Sequence, residues 1–262
     1  MTTTRLDRGL VARTALDVLN EVGLDGLSLR AIAGRLDVKA PALYWHFKDK
    51  QALLDEMATE ILRRVTAAAP APDPDWRVGL AHSMRALRAE LLRYRDGAKV
   101  YSGTHFTDTA YGASMDAYLR TFTDAGFTTR AAARAWFTAY SYTIGYVTEE
   151  QAMGPDPADH PANLPVDLPA DPRSDPEAAR SRAYDLAARA ERLAAYPLAA
   201  AAGEELFREH EAGFEVGLAA VVAGIGHTLA PGAPSAPGAP SAPGAPGGPG
   251  VPGSGPARLP AR

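Results

Sequence analysis

The chain has 262 residues, 46% of them hydrophobic, which is enough to bury the cores of a small domain and a larger one. It contains no cysteine, which excludes disulfides, thiol catalysis and thiolate metal sites. The net charge is only −4, so any attraction to nucleic acid must be local. No stretch approaches the roughly 20 apolar residues of a membrane span, and the N-terminus lacks the apolar centre of a signal peptide. We therefore expect a cytoplasmic protein without a membrane partner.

Helical patterns follow one another along the chain. The first predicted helix covers residues 7–22 and is followed by a turn at Asp25 and Gly26, then by two short helices within residues 28–50. The next helix ends at the proline-rich residues 70–74. Further helices are predicted over residues 76–94, 97–102, 108–124, 128–153 and 204–229, and residues 177–195 have helical composition. The sequence shows no alternating strand pattern of any length, which predicts an all-α fold.

Residues 28–50 are the most informative segment. Ser28 is a suitable N-cap for the first short helix, and Asp37 is among the few residues that tolerate positive φ at the tight turn that follows. Pro41 suits the first turn of the second helix, which needs no amide donor there. The residues expected to face inward recur at helical spacing; they are Leu29, Ile32, Ala33, Leu36, Leu43 and Phe47. The spacing predicts a helix-turn-helix.

The outward faces of this segment carry aromatic and basic side chains. Tyr44, Trp45 and His46 lie off the apolar stripe, and five basic residues outnumber two acidic ones over residues 28–50. A helix fits the major groove of B-DNA, so the segment can bring these groups to base edges and phosphates. The alternative is an ordinary helical hairpin with a solvated charged end, which leaves the outward Trp45 without a partner.

Several stretches resemble a known family. Residues 15–23, Leu-Tyr-Trp-His at 43–46 and residues 50–55 resemble the N-terminal domain of the TetR family of repressors. Residues 95–100 and 145–151 resemble the regulatory domain of its tetracycline repressor subclass, and the resemblance extends over about residues 6–229, weakly between 154 and 195. It implies four segments: a DNA-binding domain at 1–50, a connecting helix at 51–67, a regulatory and dimerisation domain at 75–229, and a tail at 230–262.

Two segments are rich in proline. Residues 154–176 contain seven prolines, a density that no helix interior tolerates, and are predicted to form a mobile loop within the larger domain. From residue 231 to 252, proline recurs at every third position, where collagen would require glycine. We expect residues 230–262 to form a disordered tail with polyproline II character. The tail is interpreted as a solubilising extension rather than as a ligand for a groove-type domain.

The resemblance implies a set of DNA contacts. Arg30 is best suited to a bidentate contact with guanine and Lys50 to phosphate. Ala40 and Ala42 replace polar base readers of the tetracycline repressor subclass, so the operator sequence should differ although the docking mode should not. Lys39 replaces an acidic residue and adds a candidate phosphate contact. The full predicted set is Ser28, Arg30, Lys39, Ala40, Pro41, Ala42, Tyr44, Trp45, His46, Lys48 and Lys50.

A homodimer is expected, because two recognition helices double the contacts to a palindromic operator. The resemblance implies a four-helix bundle built from residues 128–153 and 204–229 of each subunit. The second segment is apolar on most sides, so we expect it to be buried, and its glycines permit close helix approach. The alternative interpretation is that residues 204–229 are simply core of the monomer.

The resemblance also implies a ligand site. In the tetracycline repressor subclass a histidine and an acidic residue hold a magnesium–drug chelate; the matching positions are Tyr101 and Glu149 of the partner subunit. Tyrosine is a poor magnesium ligand at neutral pH, so we expect no metal and no cofactor. The predicted contacts are Thr66, Ser83, Leu87, Tyr101, Thr104, His105, Phe106, Tyr118, Phe122, Trp136, Tyr140, Ser141 and Glu149, with Met115 and Phe137 nearby.

These residues predict a repressor that a small, polycyclic aromatic inducer releases from DNA. For each aromatic residue, plain core packing at helical spacing is the competing interpretation. For the whole chain, the alternative is a DNA-binding regulator without small-molecule control, because the metal ligand of the subclass is missing. An enzyme is not predicted: His82, His105, Glu149 and Glu150 match no ligand or acid–base motif.

Overall fold

A computed structural model of the protein describes residues 6–68, 73–109, 111–153 and 185–232, and these residues form helices joined by short turns, with no strand among them. The predicted all-α fold is confirmed. The helices are α1 Arg8–Gly26, α2 Leu29–Arg35, α3 Ala40–Tyr44, α4 Lys50–Ala68, α5 Trp76–Leu92, α6 Gly97–Tyr101, α7 Tyr111–Asp124, α8 Thr129–Met153, α9 Leu186–Arg192, α10 Pro197–Ala201, α11 Gly203–Phe207 and α12 His210–Thr228.

The first helix differs from its prediction at its end. Asp7 caps α1, accepting a hydrogen bond from the Leu10 amide at 2.8 Å. Gly23 has a φ of 68°, which interrupts the helix at the residue where the predicted helix stops. Asp25 and Gly26, predicted to be a turn, belong instead to one further helical turn after this kink.

The helix-turn-helix, formed by α2 and α3, has the predicted local chemistry. The Ser28 hydroxyl accepts from the Ala31 amide at 3.3 Å, and Asp37 adopts a φ of 51° between the two helices. Leu43 and Phe47 are completely buried. The regular helix α3 ends at Tyr44, and the Phe47 amide continues the turn by donating to the Leu43 carbonyl at 3.0 Å.

Two hydrophobic clusters hold the chain together. The first runs without interruption from α1, α2 and α3 through α4 to Leu91, Val100 and Val147 of the larger domain. The second joins α5, α7, α8 and α12 around Trp76, Phe122 and their neighbours. Helix α4, the predicted connecting helix, therefore packs with residues of both the DNA-reading domain and the larger domain.

The last predicted helix, residues 204–229, is two helices in the structure. Gly203–Phe207 and His210–Thr228 are separated at Arg208 and Glu209, and only Phe214, Leu218 and Ile225 of α12 are buried. Within the described part of a single chain, one side of α12 is therefore covered, and the burial of its other side against a second subunit stays a prediction.

The remaining differences from the predicted helices concern where α5 ends and where α7 begins. Helix α7 begins at Tyr111 rather than at residue 108, and α5 ends at Leu92 rather than at residue 94. The proline-rich loop at 154–176, the first part of 177–195 and the tail from residue 233 lie outside the described residues. Among the helices that are described, none is long and apolar enough to cross a membrane.

We expect Phe47→Ala to destabilise the protein by about 3–5 kcal/mol, because it removes a completely buried ring and leaves a cavity. Urea unfolding followed by circular dichroism at fixed protein concentration measures this. The matched control is Trp45→Ala: this side chain is 87% exposed, so its removal should change stability by no more than about 0.5 kcal/mol. Equal losses of stability in the two variants would contradict the assignment of Phe47 to the core and of Trp45 to the surface.

Candidate functional site

The helix-turn-helix presents a polar and aromatic surface to solvent. Tyr44 is 58% exposed and Trp45 87% exposed, although the adjacent Leu43 and Phe47 are completely buried. Such exposed rings on a short helix are unusual for a surface that has no partner. The arrangement leaves both rings free to contact another macromolecule.

The structure brings the predicted DNA-contacting residues onto this surface. Eight of the eleven are exposed, namely Ser28, Arg30, Lys39, Pro41, Tyr44, Trp45, Lys48 and Lys50. Ala40, Ala42 and His46 are partly exposed. None is buried, which is the condition that direct contact with a duplex requires.

The basic residues of this surface differ in their freedom. The Lys50 ammonium donates to the Leu24 carbonyl at 3.0 Å, and Arg35 is paired with Glu21. Arg30 and Lys48 form no ion pair with any described residue. Among these four residues, Arg30 on α2 and Lys48 after α3 therefore have the most freedom to meet bases or phosphates.

A cavity of about 240 Å³ lies in the larger domain between α4, α5, α6, α7 and α8. Its wall contains no charged residue and is rich in aromatic rings. The rings of Trp136 and Tyr140 are stacked with centroids 5.1 Å apart, and Phe106 lies 5.6 Å from Tyr101 and 5.4 Å from Tyr111. Such a wall suits a flat, apolar molecule with few polar groups.

Polar atoms in the cavity wall are few. The Ser83 hydroxyl is already engaged, since it donates to the Gly79 carbonyl at 2.7 Å. The Tyr101 side chain is 4% exposed, and no hydrogen bond joins its hydroxyl to another described residue. Burial, and to a smaller extent the neighbouring Tyr140, raises the pKa of Tyr101 well above its usual value. The phenol is therefore neutral and can donate one hydrogen bond to a ligand.

Eight of the thirteen predicted ligand contacts line this cavity: Thr66, Ser83, Leu87, Tyr101, Phe106, Tyr118, Trp136 and Tyr140. Met115 also lines it. Of the remaining five, four do not line it, and Glu149, which was predicted to act from the partner subunit, is not tested by a single chain. The Thr104 hydroxyl donates to the Tyr101 carbonyl at 2.9 Å, and His105 is exposed on the surface. Phe122 packs in the second hydrophobic cluster, 5.2 Å from the Trp76 ring. Ser141 and Glu149 lie on an exposed face of α8.

Six residues of the cavity wall were not predicted: Leu62, Val65, Met84, Ala86, Tyr111 and Ser114. Helical periodicity contains the signal that identifies them. Tyr111, Ser114 and Tyr118 are spaced i, i+3, i+7 on α7, and Leu62 stands four residues before Thr66 on α4. Extending the face of each predicted contact by one turn recovers most of the wall.

The donors at the cavity do not fit a magnesium ion. Magnesium prefers carboxylate, carbonyl and water oxygens, whereas the cavity offers neutral phenol and hydroxyl groups. Tyr101 is the clearest case, because burial holds its phenol in the protonated form. Within the described ranges, no group of three or more His, Asp or Glu side chains is placed to hold a metal ion.

Two helices present apolar faces that no other described residue covers. On α12 the exposed face contains Val216, which is 71% exposed, together with Ala212, Ala219, Ala220, Ala223 and Gly224. On α8 it contains Phe137, 63% exposed, with Ser141 and Gly145. The opposite side of α12 packs closely on α8, where Tyr142 donates to the Phe214 carbonyl at 3.0 Å and a Cβ at Gly217 would collide with its hydroxyl.

Both the N-terminal domain and the larger domain match known protein families. Residues 12–57 match the family model described as bacterial regulatory proteins, tetR family, and residues 69–229 match the model described as tetracyclin repressor-like, C-terminal domain. The tetracycline repressor protein class A from transposon 1721 of Escherichia coli is 45% identical over 157 residues, which cover 60% of this chain and 72% of the relative. The class G repressor of Vibrio anguillarum is 42% identical over 154 residues, covering 58% and 73%.

Solved structures agree with these matches. A possible TetR family transcriptional regulator from Streptomyces coelicolor A3(2) is 36% identical with a TM-score of 0.65, covering 84% of this chain and 98% of its own. The class A TetR in complex with 5a,6-anhydrotetracycline and magnesium is 33% identical with a TM-score of 0.55, covering 82% and 95%. Together the two matched segments span most of the sequence, and the chain belongs to the TetR family of DNA-binding transcriptional regulators, which are not enzymes.

Proposed function

We propose that the protein is a ligand-responsive repressor that binds a palindromic operator as a homodimer and is released by a small polycyclic aromatic molecule. The observation that carries the proposal is the uncharged aromatic cavity against α4, the helix whose other end packs into the DNA-reading domain. Ligand and DNA thus act on one continuous element. The proposed site of action is the cytoplasm, where the operator is.

In the proposed complex, α3 enters the major groove and Tyr44 and Trp45 face the DNA. Arg30 reads a base, because a guanidinium can donate two parallel hydrogen bonds to guanine, and Lys39 and Lys48 contact phosphates. Lys50 is already hydrogen-bonded to the Leu24 carbonyl, so it approaches phosphate only with its remaining donors.

The proposed dimer joins the exposed faces of α8 and α12 to those of a second copy. A contiguous apolar face of alanine, glycine and Val216 is costly to leave in water, and small residues let a partner helix approach closely. Ser141 and Glu149, which do not reach the cavity of their own chain, would lie on the interface side of α8.

The proposed ligand is a neutral or weakly polar molecule with fused rings, bound without magnesium. A related TetR binds anhydrotetracycline with magnesium, but the cavity of this chain offers neutral hydroxyls in place of metal ligands. Stacking against Trp136 and Tyr140 and a hydrogen bond from Tyr101 supply affinity and orientation instead. Ligand binding favours a conformation in which α4 shifts the DNA-reading domain, and only the difference in affinity between the two conformations drives release.

A regulator without small-molecule control is the second candidate, favoured by Tyr101 at the position of the metal ligand of the subclass. A thermal-shift screen separates the two, since a ligand stabilises the folded state by mass action. Silence across a broad library of multi-ring compounds would support the second candidate.

For operator binding, we expect Tyr44→Ala to weaken binding to all DNA sequences, whereas Arg30→Ala also relaxes base preference, by about 1–3 kcal/mol at the contacted pair. The measurement is fluorescence anisotropy with the operator selected from a random pool and with single-base variants of it. Both residues are exposed, so folding should be unaffected. Equal losses on every sequence for both variants would refute the assigned roles.

For the dimer, we expect Val216→Glu to raise the dissociation constant by at least about 100-fold, because it places a charge in a desolvated interface. Sedimentation equilibrium measures the constant, and far-ultraviolet circular dichroism should stay unchanged, since Val216 is exposed in the single chain. Val22→Glu, on the 40% exposed Val22 of α1, is the matched control and should remain dimeric. A dimer of unchanged affinity in the Val216 variant would show that α12 is not the interface.

For the ligand, we expect compounds that raise the melting temperature to do so equally with magnesium and with EDTA, because no cavity group supplies a metal ligand. Anhydrotetracycline, with and without magnesium, belongs in the screen as the reference chelator. Ala86→Phe, which fills the cavity, should abolish the shift while operator binding persists. Stabilisation that requires magnesium would contradict the proposed chemistry.

A further inference from the structure

We propose that Glu56 is a positioning residue that couples the ligand cavity to the DNA-reading domain. Through Arg8, its carboxylate connects residues 104–109, the segment beside the cavity, to residues 40–48. These residues, α3 and the turn that follows it, form the recognition element. The proposal rests on the proposed function for its biological meaning, but not for its geometry.

Glu56 lies in the middle of α4 and is only 4% exposed. One carboxylate oxygen, Oε2, accepts hydrogen bonds from both sides: from Arg8 Nε of α1 at 2.8 Å and from Thr107 Oγ1 at 3.1 Å. The other oxygen, Oε1, accepts from Arg63 at 3.3 Å. A single buried group therefore holds the DNA-reading domain and the cavity-side segment at the same time.

On the DNA side, Arg8 reaches the end of the recognition element. Its Nη1 donates to the His46 carbonyl at 2.6 Å, and its guanidinium lies 4.6 Å from the centre of the Phe47 ring. His46 and Phe47 complete the turn that follows α3. A displacement of the Glu56 carboxylate therefore acts on the backbone that orients Tyr44 and Trp45.

On the cavity side, three bonds fasten the segment around Phe106 to α4. The His105 amide donates to Asp55 at 3.1 Å, the Thr107 amide donates to the Thr59 hydroxyl at 2.9 Å, and Arg63 donates to Asp108 at 2.5 Å. Between them, the Phe106 ring lines the cavity. A ligand that displaces the backbone at Phe106 also displaces Thr107, its neighbour in the chain.

Loss of the Thr107 hydrogen bond should move the Glu56 carboxylate rather than leave it in place with one donor fewer. A buried carboxylate that loses one donor must recover it or shift toward its other partners, because an unpaired buried charge is strongly unfavourable. Glu56 can shift only by altering its bonds to Arg8 and Arg63, and the first of these leads to His46. Residues 104–109 and the recognition element thus compete for the position of one carboxylate.

Glu60 provides a matched control. It lies one turn further along α4 and is 8% exposed, and it pairs with Arg63 at 3.4 Å and Arg64 at 3.3 Å. No hydrogen bond joins it to residues 104–109 or to α1–α3 in the described part of the chain. Glu60→Met therefore removes a similarly buried carboxylate and its arginine bonds without interrupting the connection.

The test is a double-mutant cycle on the free, full-length chain, read by amide hydrogen exchange of residues 40–48. Thr107→Val removes the cavity-side donor and does not touch the DNA-reading domain. We expect it to change exchange at His46 and Phe47 by about threefold or more in the wild-type background, and to have no effect in Glu56→Met, which has no oxygen to accept either bond. In Glu60→Met, the effect of Thr107→Val should persist.

Two results would overturn the proposal: no change at His46 and Phe47 on Thr107→Val, or the same change in the Glu56→Met background. If Glu56→Met does not fold, Arg8→Gln replaces it in the cycle, since the Arg8 side chain is 43% exposed and its replacement removes the guanidinium donor on the DNA side. The cycle uses neither DNA nor ligand. Its failure would therefore leave operator binding untouched, and a failure of operator binding would leave the measured coupling in place.

Discussion

The rest of the structure depends on one constraint: α4 packs against the DNA-reading domain at one end and forms part of the cavity wall at the other. The first half of α4 buries Leu53 and Met57 against the DNA-reading domain, and its second half contributes Leu62, Val65 and Thr66 to the cavity wall. A close-packed helix does not bend freely between two such sites, so a change at one end is passed on as a movement of the whole. This rigidity supports the proposal that a ligand in the cavity acts on the DNA-reading domain without contacting it.

Local features of the fold were predictable because they depend on near neighbours in sequence. The positive φ of Asp37, the cap at Ser28 and the buried pair Leu43 and Phe47 each follow from the chemistry of a few adjacent residues. The break at Arg208 and Glu209 was not predictable in this way, because the apolar pattern runs past it without a proline. The element that packs on the apolar face of α12 was not predictable from spacing either, because periodicity identifies an apolar face but does not identify what covers it.

In the candidate site, too, residues that depend on local spacing were predictable and residues that depend on tertiary contacts were not. Cavity residues that lie on one face of a helix with a recognised contact, such as Tyr111 and Ser114 beside Tyr118, are recoverable from spacing. Phe122 is not distinguishable from them by spacing, and only the tertiary contact with Trp76 shows that it is core. The bonds of Glu56 are further removed still, since its partners Arg8 and Thr107 are 48 and 51 residues distant and nothing in the pattern of α4 marks this glutamate.

As the proposed dimer interface, the exposed apolar face of α12 would also set a concentration scale for the protein. If two copies must join before both recognition helices can occupy one operator, then at low concentration the occupied fraction of operator rises with the square of the amount of chain rather than in proportion to it. A modest fall in synthesis would then relieve repression steeply. The cell would have a second route to derepression, through the number of molecules rather than through any ligand.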